Sequence, residues 1–496
     1  MNQAMQQLRA LQTKLYALQY AINMIDYDAQ TAAPAESWQG RSEAMEVLTG
    51  EKYALIADPG LPALFAEARR QALSEQEAAE VAELERQYSE TSKVPAAEYA
   101  AFAKLTSQAV NAWEKAKAAS DFAAFAPYLQ KIVDARRRFA FYYDPQKPAY
   151  DVWLDQYEKG LTAAQCDAFF DQLQAAIVPL VKAIAAKAQP AAPAFLQGPW
   201  PAAQQRRLSG AVMELLGIDR GHCQIGESAH PFTTEFFKGD VRITTRYDEA
   251  DMLSSMYSVI HESGHALYEL HIADRLHRTC LSAGASMGMH ESQSRLFENY
   301  FGRSLPFIEG LWPRLTALFP AQLQGVSTEQ FWRAANRCQP SLIRTEADEV
   351  TYCLHIILRY RLEKQLIEGT LAVKDLPAAW NALMEQLLGV QVPCDAQGVL
   401  QDIHWACGDF GYFASYALGS AYAAQIAASM RRELELDNLL RQGDFGPILQ
   451  WLTQRIWQYG KEKSPAWLLE NACGAPFDPR FYTEYLTHKY SALYGL

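Results

Sequence analysis

At positions 261–265 the chain reads His261-Glu262-Ser263-Gly264-His265. The two histidines are four residues apart, so on a helix they share one face, one turn above the other. That spacing allows two imidazoles to reach one tetrahedral Zn²⁺ ion. Glu262 lies about 100° around the helix from His261 and can face the water that such a metal activates without being a ligand itself. The stretch therefore predicts a metal site carried by a helix, with a carboxylate beside it.

The flanking sequence predicts the helix itself. From residue 248 to residue 272 there is no proline, and Gly264 is the only glycine. A mostly apolar stripe with spacings of three and four consists of Met252, Met256, Val259, Ile260, Ser263, Leu267 and Leu270. Asp248, Glu249 and Asp251 precede this stripe, where the start of a helix favours negative charge.

A catalytic zinc site needs a third protein ligand besides the two histidines. Downstream, His290-Glu291-Ser292-Gln293 opens a second predicted helix that runs through Tyr300. Glu291 is the best candidate, because it lies on a separate helix that can pack against the first. Two histidines and one glutamate are also a common hydrolytic set. His290 is the alternative ligand, and the sequence leaves it open.

A polar strand is predicted just before the metal helix. In residues 239–247 the side chains that fall on opposite faces alternate in character, and many of them are β-branched. Asp240, Arg242, Thr244 and Arg246 fall on one face of this strand. Such a face could line a substrate groove, and an exposed edge strand with ordinary charges explains the pattern equally well.

Two later stretches carry further candidate residues. A long helix is predicted to open at Pro340-Ser341, with Arg344 and Asp348 four residues apart near its start. An arginine there can bind a carboxylate, and a surface ion pair between the two is the alternative.

The second stretch begins at His404, which precedes a glycine-containing turn. A helix with Tyr412 and Tyr416 on one face is predicted to follow. These three side chains are candidate donors to a developing oxyanion, although each taken singly is more often a packed side chain.

Composition indicates a large globular protein. The chain has 496 residues, a formal net charge of −12 and 49% hydrophobic residues. Its first 185 residues or so read as mostly helix, with predicted helices at about 40–57, 75–92, 97–118, 122–142 and 162–187. We expect one unit over residues 1–496, with a candidate lobe boundary at the proline- and alanine-rich stretch 189–203.

Several functional classes are disfavoured. The acidic balance argues against non-specific nucleic-acid binding. Residues 1–20 lack the apolar core of a signal peptide, and no run approaches the roughly 18 apolar residues of a membrane span. We therefore expect a cytoplasmic protein without a membrane partner. The eight cysteines are dispersed and include no C-x-x-C pair, which disfavours a disulfide framework.

Five motifs together resemble one known family, the M32 metallocarboxypeptidases or carboxypeptidase Taq family. In chain order they are DVRIT (240–244), HESGH (261–265), HESQ (290–293), IRTEAD (343–348) and GVLQDIHW (398–405). An earlier stretch with Asp28, Thr31 and Pro34 is also similar, with Tyr27 and Ala33 where the family usually has Trp and Met. The total length fits as well, so the resemblance covers essentially the whole chain.

The resemblance implies a mostly α, homodimeric metallopeptidase with a deep groove, a zinc helix and a small β-sheet that lines the active site. It also implies one Zn²⁺ per chain, with Co²⁺ as an alternative. The implied activity is the release of single C-terminal residues from peptides, with broad specificity except for proline.

The expected roles follow from this resemblance and from the chemistry of the residues. His261, His265 and Glu291 hold the metal, and Glu262 is the general base. Arg344 binds the α-carboxylate of the substrate with support from Arg242, because the guanidinium offers a planar fork and a permanent charge. His404 or Tyr416 stabilises the oxyanion. The alternatives are a zinc endo-oligopeptidase of similar helical fold and a non-enzymatic helical binding protein with a vestigial site.

Overall fold

The computed structural model describes residues 3–187 and 193–496. The structure is 70% helical and contains a small three-stranded sheet, which confirms the predicted mostly α fold class. One proline- and alanine-rich stretch, 189–203, was predicted as a lobe boundary, and residues 189–192 of it lie outside the described residues.

The helices and strands of the first half, in chain order, are α1 (Gln3–Thr31), α2 (Trp38–Ile56), α3 (Leu61–Arg69), α4 (Glu75–Ser92), α5 (Ala96–Ala119), α6 (Phe122–Tyr143), α7 (Ala149–Tyr157), α8 (Ala163–Ala186), α9 (Ala202–Leu215), β1 (Cys223–Glu227), β2 (Thr233–Phe237), β3 (Asp240–Thr245) and α10 (Met252–Leu270).

Those of the second half are α11 (Met287–Arg295), α12 (Leu305–Leu318), α13 (Thr328–Ala335), α14 (Tyr352–Glu368), α15 (Leu376–Leu388), α16 (His404–Cys407), α17 (Phe413–Arg431), α18 (Leu436–Gln442), α19 (Gly446–Arg455), α20 (Pro465–Cys473) and α21 (Arg480–Tyr494). A π-helical segment, Leu296–Gly302, continues α11.

The chain divides into two compact units. Unit 1 comprises Met1–Thr91, Ala192–Ala335 and Ile426–Phe477, and unit 2 comprises Ser92–Ala191, Asn336–Gln425 and Asp478–Leu496. The metal helix and the sheet belong to unit 1, whereas α14 and α16 belong to unit 2. That all 496 residues act as one catalytic unit stays a prediction.

The sheet lies against the metal helix within unit 1. Its strand order is β1-β3-β2, with β1 parallel and β2 antiparallel to β3. The predicted polar strand is β3, in which Val241 and Ile243 are fully buried while Asp240 and Arg242 on the other face are partly exposed. Both β2 and β3 contact α10. The side chains of β3 from Asp240 to Ile243 thus alternate between a buried face and a partly exposed face.

Helix α10 begins where its acidic cluster predicts. Asp251 is the N-cap residue, and its Oδ1 accepts a hydrogen bond from the Ser254 backbone N–H at 3.2 Å. Met252, Met256, Val259, Ile260 and Leu267 of the predicted stripe are all buried. The helix is therefore amphipathic, with its apolar side in the core of unit 1.

Helix α8 is long and apolar enough to cross a membrane by length and composition alone. Its apolar side chains Phe170, Leu173 and Ile177 are buried, and the helix contacts α14 and α21 within unit 2. This burial is typical of a core helix in a globular unit.

The prediction that a long helix begins at Pro340-Ser341 is wrong about the position where the helix starts. Residues Arg344–Glu346 form one 3₁₀ turn, and α14 begins only at Tyr352. Asp348 explains the late start, because its carboxylate accepts hydrogen bonds from the Gln339, Val350 and Thr351 backbone N–H groups at 3.0, 2.9 and 3.0 Å. An aspartate that binds the backbone in this way competes with helix formation upstream of it.

Candidate metal and catalytic site

Gly264 allows the two metal-site helices to approach closely. A Cβ atom at this position would lie 2.6 Å from the Gln293 carbonyl oxygen and 2.7 Å from the Ser294 Cα atom. The backbones of α10 and α11 therefore lie in close contact at Gly264 of the HESGH stretch. This contact brings Glu291 of α11 to the histidine face of α10.

Three side chains converge there. The Nε2 atoms of His261 and His265 lie 3.8 and 3.5 Å from Glu291 Oε2, and all three donor atoms lie within 4.8 Å of one another. Ligands at about 2.0–2.2 Å around one tetrahedral ion are separated by roughly 3.4 Å. The spacing and the two-nitrogen, one-oxygen donor set therefore fit a divalent cation, which the M32 resemblance implies.

The second ring nitrogen of His261 is held by a carboxylate. Its Nδ1 lies 2.9 Å from Glu298 Oε2 in the π-helical segment. Glu298 also accepts hydrogen bonds from Arg295 and Arg303, at 3.2 and 3.1 Å. If Nδ1–H donates to Glu298, the Nε2 lone pair faces Glu291, as a metal ligand requires. Burial lowers the pKa of His261, but Glu291 and Glu298 outweigh that effect and raise it.

His265 is held by a different partner. Its Nδ1 lies 2.5 Å from His290 Nδ1, and His290 Nε2 lies 2.7 Å from Glu269 Oε1. The chain of hydrogen bonds is satisfied when His265 donates to His290 and His290 donates to Glu269. His265 then keeps its Nε2 lone pair for a cation. Burial lowers the pKa of His265 to about 3, so its imidazole is neutral.

These contacts place the alternative ligand, His290, next to the donor group, which consists of His261, His265 and Glu291. Both of its ring nitrogens face the side chains of His265 and Glu269. Glu291 instead points its Oε2 at the two histidines, while its Oε1 accepts a hydrogen bond from Arg295 Nε at 2.7 Å. Burial alone would raise the pKa of Glu291, but Arg295 and the two histidines hold it far below its usual value. Glu291 is thus an anion suited to a cation.

Glu262 lies beside the donor group with one oxygen fixed. It is only 6% exposed, and its Oε2 accepts a hydrogen bond from the Thr233 hydroxyl of β2 at 2.6 Å. Burial raises the pKa of Glu262 above that of an ordinary glutamate. A carboxylate with a raised pKa is a better proton acceptor, which suits general-base chemistry.

Arg242 of unit 1 is already paired with its neighbour on β3. Its Nε and Nη2 atoms donate to the two oxygens of Asp240, both at 2.8 Å. The guanidinium also lies over the rings of Tyr27 and Phe236, at 5.2 and 4.6 Å from the ring centroids. The DVRIT motif thus holds its arginine in a fixed orientation.

Unit 2 contains the other predicted arginine, Arg344. Its Nε donates to Asp402 Oδ1 at 2.9 Å, and its Nη1 donates to the Tyr352 hydroxyl at 3.2 Å. The alternative reading of Arg344 as the ion-pair partner of Asp348 is therefore wrong, because its carboxylate partner lies 58 residues away along the chain. Arg359 Nε binds the other oxygen of Asp402 at 2.6 Å. Two buried guanidinium groups thus share one carboxylate.

The predicted oxyanion donors lie together in unit 2. His404 Nε2 is 3.4 Å from the Tyr416 hydroxyl, and the His404 ring stacks on Tyr412 at 5.5 Å. Burial lowers the pKa of His404 to about 4 and raises that of Tyr416. Helix α17 starts at Phe413, one residue after Tyr412, so the prediction that this helix carries both tyrosines is wrong for Tyr412.

Several side chains that contact the site residues were not predicted from the sequence. They are Thr233, Glu269, Glu298, Arg359 and Asp402. Glu298 had a local signal, because it follows Glu291 by seven residues and Arg295 by three on one helical face. The contact between Thr233 and Glu262 joins a strand to a helix 29 residues away, and no sequence periodicity marks such a pair.

The sequence is similar to those of known carboxypeptidases over nearly the whole chain. A sequence model of the family described as "Carboxypeptidase Taq (M32) metallopeptidase" matches residues 7–490. The chain is 41% identical over 479 residues to "Carboxypeptidase 1" of Bacillus subtilis, covering 96% of each chain. It is 34% identical over 493 residues to "Thermostable carboxypeptidase 1" of Pyrococcus furiosus, covering 99% of each.

The fold is also similar to solved structures of carboxypeptidases. The fold matches the M32 carboxypeptidase of Deinococcus radiodurans with a TM-score of 0.96 and 35% identity, covering 99% of this chain and 100% of that one. It matches metallocarboxypeptidase 1 of Trypanosoma cruzi with a TM-score of 0.94 and 32% identity, with the same coverage. The family implies a divalent metal and peptide substrates. The chain belongs to the carboxypeptidase Taq (M32) family and is a metallocarboxypeptidase, a hydrolase of peptide bonds.

Proposed function

We propose that this enzyme releases single C-terminal residues from peptides, with broad specificity except for proline, by means of one divalent cation per chain. His261, His265 and Glu291 hold the cation, which is Zn²⁺ with Co²⁺ as an alternative. The convergence of these three donors within 4.8 Å of one another, beside the fixed carboxylate of Glu262, is the observation that carries the proposal.

Glu262 carries out the proton transfers of the reaction. A bound divalent cation supplies Lewis acidity, which polarises the scissile carbonyl and lowers the pKa of water. Glu262 accepts the proton of the attacking water at Oε1, since Thr233 occupies Oε2. It then delivers that proton to the nitrogen of the leaving amino acid. Its buried environment and raised pKa support both transfers.

Arg344 recognises the free C-terminus of the substrate by binding its α-carboxylate. Arg344 and Arg359 carry two positive charges against the single charge of Asp402, so this buried cluster has an unbalanced positive charge. Such a cluster favours an additional carboxylate, because an unpaired buried charge is costly. Arg242 is proposed as a supporting residue, although Asp240 already occupies two of its donor nitrogens.

Stabilisation of the oxyanion is assigned to His404 or Tyr416. Both can present a hydrogen-bond donor, and their Nε2 and hydroxyl atoms lie 3.4 Å apart. Tyr412 stacks on the His404 ring and orients it. Loss of one such donor typically lowers kcat by about 10²–10³.

We further propose that the enzyme works as a homodimer, as the family resemblance implies, and that it is located in the cytoplasm. Light scattering coupled to gel filtration would test the dimer. A mass near twice the 55.7 kDa of one chain supports it, and a mass near 55.7 kDa contradicts it.

Mass spectrometry of an N-blocked peptide tests the activity. The peptide and its C-amidated twin are incubated with chelated protein and with protein reloaded with Zn²⁺ or Co²⁺. A stepwise ladder from the free C-terminus, absent from the amidated twin and from the chelated sample, is the expected result. Internal cuts in both peptides would instead establish an endo-oligopeptidase.

A further inference from the structure

Thr233 is held rigidly at the start of β2. It pairs with Ile243 of β3, and the residue before it, Phe232, is joined to Thr244 by hydrogen bonds. The Thr244 N–H donates to the Phe232 carbonyl at 2.8 Å, and the Phe232 N–H donates to Thr244 Oγ1 at 2.9 Å. The backbone that carries the Thr233 hydroxyl is therefore part of the sheet ladder and not of a free loop.

The hydroxyl points at the side chain of Glu262. It lies 2.6 Å from Glu262 Oε2 and 3.2 Å from the Glu262 carbonyl oxygen. The shorter contact is a charge-assisted hydrogen bond, the stronger kind. The other carboxylate oxygen, Oε1, has no hydrogen-bond partner among residues 3–187 and 193–496. Only one oxygen of this carboxylate is thus committed to the protein.

A general base needs this asymmetry. A glutamate side chain has three rotatable bonds, and a base must keep one oxygen aimed at the proton that it removes. A hydroxyl that donates to Oε2 fixes the side chain in both states of Glu262, because the proton taken up resides on Oε1. Misplacement of a catalytic group by about 1 Å can cost about 100-fold in rate.

We propose that Thr233 is a positioning residue that holds Glu262 Oε2 and thereby orients Oε1 for proton transfer. This inference rests on the proposed function, in which Glu262 is the general base. Among the residues that the structure describes, the Thr233 hydroxyl hydrogen-bonds only to Glu262. Its loss should lower kcat while KM and metal content stay unchanged.

The test compares three variants on an N-blocked tripeptide with a free C-terminus. Thr233→Val removes the hydroxyl at nearly constant volume, and Thr233→Ser restores it. The matched control is Thr245→Val, because the Thr245 hydroxyl of β3 also bonds α10, at 3.2 Å to Ser258, one turn before Glu262. Melting temperature and zinc content are measured for each variant beside kcat and KM.

The expected result is a fall of about 10- to 100-fold in kcat for Thr233→Val, with KM and zinc content within about twofold of the wild-type values. Thr233→Ser should retain kcat within about threefold, and Thr245→Val should lower only the melting temperature. If Thr233→Val does not fold, Thr233→Ala beside Thr245→Ala gives the same comparison.

Two contrary results have different meanings. Equal falls in kcat for Thr233→Val and Thr245→Val, or no fall for either, in an active wild-type background would overturn the positioning role alone. A wild-type protein that releases no C-terminal residue despite bound zinc would instead overturn the proposed function.

Discussion

Replacing Gly264 with alanine tests how the metal site is assembled. The added Cβ would lie 2.6 Å from the Gln293 carbonyl oxygen and 2.7 Å from Ser294 Cα. Ordinary van der Waals contact begins at 3.4 Å, so the α11 backbone must retreat by about 0.7–0.8 Å. Glu291 lies two residues before Gln293 and must move with it. Metal sites require ligand distances within about 0.2 Å, so the donor group would be disrupted.

We expect Gly264→Ala to weaken Zn²⁺ binding at least 10- to 100-fold, comparable to the loss of an outer-shell partner. Overpacking should also destabilise the fold by about 1–3 kcal/mol. The matched control is Gly50→Ala in α2, where a Cβ meets nothing within 4 Å and a helical alanine is favoured over glycine. Zinc affinity is measured by competition with a chromophoric chelator, and stability by thermal melting. Wild-type zinc affinity in Gly264→Ala would refute this account of the helix contact.

Three further predictions concern single roles in the site. Glu262→Gln should lower kcat by at least about 10²–10⁴ in peptide hydrolysis, because the variant cannot accept a proton; near-wild-type turnover would remove Glu262 as the base. Arg344→Ala should lower kcat/KM by about 10- to 100-fold for peptides with a free C-terminus and leave zinc content unchanged. Equal loss on C-amidated peptides would contradict the carboxylate-binding role. Glu269→Gln, measured by chelator competition, should weaken zinc binding about 10- to 100-fold by disturbing the His265–His290 orientation, and unaltered affinity would show that this chain of hydrogen bonds does not matter.

Local sequence patterns predicted the long elements well. The predicted helix 122–142 is observed at Phe122–Tyr143, and 162–187 at Ala163–Ala186. These helices have many turns, so their apolar periodicity is clear. The short helices Leu61–Arg69 and Ala149–Tyr157 were not predicted, because two turns carry little periodic signal.

In the site, features set by local sequence spacing were predicted, whereas contacts between distant segments were not. The i, i+4 spacing of His261 and His265 predicted two donors on one face, because both residues lie on one helix. The partner of Arg344 could not be predicted in this way. Asp348 is nearer in sequence, yet its carboxylate binds the backbone at the start of α14, and Asp402 from a distant segment pairs with the arginine. Such a choice depends on tertiary packing.

Metal content measured by plasma mass spectrometry tests the central claim most directly. The wild type, Glu291→Ala and Glu262→Gln are stripped with chelator, reloaded with Zn²⁺ and freed of excess metal. We expect one zinc per chain in the wild type and in Glu262→Gln, and little zinc in Glu291→Ala. A full equivalent in Glu291→Ala, or none in the wild type, would contradict the assignment of His261, His265 and Glu291 as the metal ligands.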